Sequence, residues 1–69
     1  MISLAAPIEA DLLRLRHEFL SMPALVLTVP QVARLLGVRT EYAADLLATL
    51  TADRLLTRVE TGAYRRKLS

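Results

Sequence analysis

Thr28-Val29-Pro30-Gln31-Val32-Ala33-Arg34-Leu35-Leu36-Gly37-Val38 is the stretch on which the fold turns. It opens as a capping box: the Thr28 hydroxyl takes the backbone N–H of Gln31, and the Gln31 side chain reaches back to the N–H of Thr28. Pro30 reinforces this start, because a proline in the first turn has no N–H to leave unsatisfied. The helix that follows puts Val32, Ala33 and Leu36 on one face and leaves Gln31 and Arg34 outside. Gly37 suits the left-handed residue that ends it. Residues 37–39 then separate this helix from the next. So short a connector makes the two helices cross steeply, as in a helix-turn-helix.

Downstream, residues 40 to 51 or 53 read as a helix. Ala43, Leu46, Leu47 and Leu50 fall within about 100° of one another and form its buried face. Arg39 stands where a capping Ser or Asp is usual, which leaves Thr40 as the alternative cap. Residues 55–60 read as a strand, Thr61-Gly62 as a turn and residues 63–68 as a returning strand. Upstream, residues 8–20 read as a helix, with Ile8, Leu12, Leu15 and Phe19 within about 60° of one another. Pro7 suits its opening turn. Leu13 and Leu20 form a second stripe roughly 100° away, which either widens the core face or is left over for a partner. Pro23 disfavours helix at Met22 and breaks the segment at residues 21–23. Residues 24–27 then suit one short buried strand. The fold class is mainly α with a small β-hairpin, in the order helix, short strand, helix, turn, helix, hairpin. Residues 1–7 form an arm ahead of a single domain over 8–69.

Composition narrows the function. The chain has 69 residues, 54% hydrophobic and 23% charged, room for one domain and no separate catalytic one. It has no cysteine, so disulfides, thiol nucleophiles and cysteine zinc sites are out. Its sole histidine, His17, lies opposite the main stripe of the first helix, away from any second ligand, and reads as a surface residue. With two glycines, Gly37 and Gly62, there is no glycine-rich phosphate loop. No serine has a nucleophile's surroundings. The expectation is a non-enzyme without cofactor or metal. The longest uninterrupted apolar stretch, residues 22–27, falls far short of a membrane span of ~20 residues. Residues 1–7 lack the basic start and long apolar run of a secretory signal, so the default expectation is a cytoplasmic protein without membrane contact.

The formal charge of +2 conceals an uneven distribution. Residues 1–53 carry four arginines against six carboxylates, whereas residues 54–69 carry Arg54, Arg58, Arg65, Arg66 and Lys67 against Glu60 alone. That asymmetry points to a local anion-binding surface. In a strand, Arg65 and Lys67 share one face while Tyr64, Arg66 and Leu68 share the other. Tyr64 and Leu68 then lean toward the core, and Arg65 and Lys67 toward a ligand. A merely solvated terminus is the plainer reading of the same residues.

The order of elements and their residues resemble the winged helix-turn-helix superfamily. The likeness rests on Leu27 and the stretch quoted above, then on Leu47, Leu50, Leu55, Leu56 and the hairpin Val59-Glu60-Thr61-Gly62-Ala63-Tyr64. It spans residues 12–68. More narrowly, Phe19-Leu20, Met22-Pro23, Leu25, Leu27-Thr28 and Gln31, Ala33-Arg34-Leu35 resemble short stand-alone bacterial proteins of unassigned role. The resemblance implies duplex DNA as partner, with the third helix in the major groove and the wing on the flanking backbone. It assigns Arg39, Thr40, Tyr42 and Asp45 to the helix contact and Arg58, Arg65, Arg66 and Lys67 to the wing contact. Asp45, where family members commonly carry a phosphate-contacting Arg, would be limited to accepting from cytosine. Arg54 stands where a glycine often precedes the wing strand. Tyr42 either stacks on DNA or covers the core as a half-exposed residue. The resulting expectation is a small DNA-binding protein, a transcription regulator or nucleoid accessory.

The outward face of the third helix nevertheless carries Glu41 and Asp45 and no base. The alternative is therefore a winged helix used as a protein-interaction or assembly module. Ile2, Leu4, Leu13 and Leu20 would be the interface of a homodimer.

Overall fold

The structure, a computed structural model, describes residues 9–67. The elements run α1 (Glu9–Ser21), β1 (Val26–Leu27), α2 (Val29–Leu36), α3 (Thr40–Ala52), β2 (Leu56–Arg58) and β3 (Tyr64–Arg66). This is the expected winged helix-turn-helix order, mainly helical with a small hairpin. The arm over residues 1–7, with Ile2 and Leu4, lies outside the described residues, as do Ile8 and Leu68. Among the described residues no helix is long and apolar enough to cross a membrane.

The capping box forms as read. Gln31 N–H donates to the Thr28 hydroxyl at 3.3 Å, and Thr28 N–H donates to Gln31 Oε1 at 2.8 Å. Gly37 ends α2 at φ 68°, with its own N–H and that of Val38 both reaching the Ala33 carbonyl. At the start of α3 Arg39 is the cap residue, without a side-chain capping bond. Thr40 does not replace it: its hydroxyl donates to Glu41 Oε1 at 3.5 Å. Helix α3 ends in a second left-handed residue, Arg54 at φ 66°. Arg54 N–H donates to the Thr51 carbonyl and Leu55 N–H to that of Leu50, both at 3.0 Å. That pair of bonds is a Schellman motif with arginine where glycine is usual.

One core joins all the helices and the hairpin. Leu15 and Phe19 of α1, Val32 and Ala33 of α2, Ala43, Leu46, Leu47 and Leu50 of α3 and Leu56 of β2 are buried together. Leu13 and Leu20 do not widen that face: they stay 56% and 44% exposed. The three strands form an antiparallel sheet in the order β1-β3-β2.

Two local expectations are corrected. Residues 24–27 are not a buried strand; β1 is a two-residue edge with Val26 exposed and Leu27 half-buried. Successive strand residues face opposite sides, and this sheet packs the core on one side only. The hairpin connection is also longer than Thr61-Gly62. Val59 N–H bonds the Ala63 carbonyl and Gly62 N–H the Val59 carbonyl, enclosing the loop 60–62. Gly62 takes φ 89° there, the left-handed third position of a three-residue hairpin loop.

Candidate nucleic-acid interface

Residues paired across an antiparallel ladder share a face. Val26, Arg65 and Thr57 form one row across the three strands, and Leu27, Tyr64 and Arg58 form the next. Leu27, Tyr64 and Leu56 pack on the core, so their side of the sheet is the inner one. Arg65 therefore sits at the middle of the outer face, exposed, between Val26 and Thr57. Lys67 follows on the same side by alternation and is exposed. Its N–H donates to the Leu55 carbonyl at 2.8 Å, which fastens the end of β3 beside β2.

Arg58 and Arg66 belong to the inner side by register, but they flank the buried Leu56 rather than join it. Arg58 is exposed near the hairpin loop, where a Cβ on Gly62 would lie 3.8 Å from its guanidinium. Arg66 is half-buried. The wing thus places Arg65 and Lys67 together on the outer face and separates them from Arg58 and Arg66. None of the four makes an ion pair among the described residues.

The candidates on α3 are arranged otherwise. Arg39 Nε lies 3.7 Å from Glu41 Oε1, with the two side chains 85% and 75% exposed; solvent screening makes such a pair weak. Thr40 is directed at the same carboxylate. Asp45 is exposed, and its backbone carbonyl accepts from the Thr49 hydroxyl. Glu41 and Asp45 therefore give α3 a negative outer surface, and no Lys or Arg lies between Thr40 and Ala52.

Tyr42 leaves this group. It packs against the core, and its hydroxyl donates to Asp11 Oδ2 on α1 at 2.8 Å. The helical period explains the position, since Tyr42 lies one turn before the buried Leu46. Its side chain is at the α1–α3 junction.

Arg54 was outside the sequence-derived site, yet it stands exposed between α3 and the wing. Its membership in the basic run over residues 54–67 was the available signal. Val26 was also missed as the neighbour of Arg65, because the strand pairing that joins them spans most of the domain.

No family model, curated protein or solved structure matches this chain.

Proposed function

We propose that the chain is a small winged helix-turn-helix protein that holds duplex DNA through phosphate contacts of its wing. It would act as a nucleoid accessory or a transcription regulator of low intrinsic sequence selectivity. The observation that carries this reading is the wing itself: Arg65 and Lys67 lie together on its outer face and Arg58 on its other side, all three exposed without an ion-pair partner among the described residues. Phosphate contacts supply affinity and orientation, whereas base-edge contacts supply selectivity. The negative outer surface of α3 argues against deep insertion of that helix among phosphates.

Fluorescence anisotropy on random-sequence duplex DNA tests the reading. Three phosphate contacts give a slope of log affinity against log salt of about −3. Replacing both Arg65 and Lys67 with Ala lowers affinity and brings that slope toward zero by about two. No binding at low salt, or binding indifferent to those replacements, would remove the proposal.

A second reading, a protein-interaction module, is favoured by a separate observation. Leu13, Leu20, Met22 and Val26 are large apolar side chains left exposed, and exposed apolar surface commonly marks association sites.

A further inference from the structure

Helix α1 has two apolar faces, and the core uses one. Leu15 and Phe19 are fully buried, while Leu13 and Leu20 stay exposed about 20° apart around the helix axis. The same exposed stripe carries Glu9 one turn before Leu13, and Arg16 and His17 one turn after it. The order along the stripe is acid, leucine, base.

We propose that this face binds a second copy of the chain, with the two α1 helices antiparallel and crossing at Leu13. In that arrangement Leu13 meets the partner's Leu13, and Glu9 lies beside the partner's Arg16 and the partner's His17. The two-fold axis makes the contact twice, as an isologous interface requires. Parallel packing sets Glu9 against the partner's Glu9. Antiparallel packing of Leu13 on the partner's Leu20 gathers the Arg16 and His17 positions of both copies at the axis. Charge order therefore favours the crossing at Leu13 over these two alternatives. A helix of 13 residues spans ~20 Å, so the interface falls below the ~1,200 Å² of a stable complex. The association is weak and reversible, with a dissociation constant in the micromolar range or above. None of this depends on DNA binding.

Sedimentation velocity of the full chain, from low to high micromolar concentration in low salt, tests the proposal. The expected result is a reversible monomer–dimer equilibrium. Leu13→Glu abolishes the dimer while leaving far-UV circular dichroism unchanged. Glu9→Arg weakens it about tenfold, because two symmetric ion pairs become repulsive. Adding Arg16→Glu to Glu9→Arg restores association, which a merely unfolded or loosened α1 would not do. A chain that stays monomeric at every concentration overturns the inference. So does a dimer that survives Leu13→Glu, or a double variant no better than Glu9→Arg alone.

Discussion

Gly37 and Arg54 perform the same task with opposite aptitude. Each holds the left-handed backbone that ends a helix, at φ 68° and φ 66° respectively. A side chain with a Cβ costs about 1 kcal/mol or more in that conformation. Arg54 bears this cost, and the Schellman bonds with the Leu50–Leu55 pair around it hold the backbone in place. Arg54→Gly is therefore expected to stabilise the domain by about 1 kcal/mol, raising Tm by about 4–8 °C. Gly37→Ala is expected to destabilise it by a similar amount. Apart from its chain neighbours, no heavy atom of the described residues lies within 4 Å of a Cβ at Gly37, so that loss is conformational rather than steric. Urea denaturation followed by circular dichroism measures both. Residues such as Gly37 and Thr28 were legible from local sequence, because their partners lie within one helical turn. Tyr42 was not, because its partner Asp11 is 31 residues away.

The turn element and the wing divide the charge between them. Helix α3 presents Glu41 and Asp45, and the hairpin presents Arg58, Arg65 and Lys67. A carboxylate repels a nearby duplex over a Debye length of about 10 Å at ordinary salt. Glu41→Gln combined with Asp45→Asn is thus expected to tighten binding to random duplex DNA by about threefold at low salt, with the gain vanishing as salt rises. Anisotropy on the double variant measures it. The helices were readable because apolar residues recur at the helical period over 13, 8 and 13 residues. The strands were read longer than they are. A two- or three-residue strand offers too few positions for a period-two pattern to mark its ends, and Val59 and Ala63 close the loop instead of extending the flanking strands.

Across the whole molecule, stability rests on one core to which α1, α2, α3 and β2 all contribute. A domain this small has only a few kcal/mol in reserve. Phe19 is fully buried, and its truncation costs about 3–5 kcal/mol. Phe19→Ala is accordingly expected to unfold the domain cooperatively at room temperature, with loss of the far-UV helical signal. Leu13→Ala, at a site exposed in the monomer, is expected to stay within about 0.5 kcal/mol of the parent in solutions dilute enough to hold only monomer. The sequence by itself determined the order of the elements, the inward faces of the three helices and the gathering of positive charge near the end of the chain. Those properties follow from local spacing, capping and counting. Only the tertiary structure decided which leftover residues found a place. It left Leu13 and Leu20 outside the core, turned Tyr42 toward Asp11, exposed Val26 beside Arg65 and set the basic residues on two sides of the wing. Each of these outcomes depends on which distant segment packs alongside, and periodicity along one segment carries no information about its neighbour.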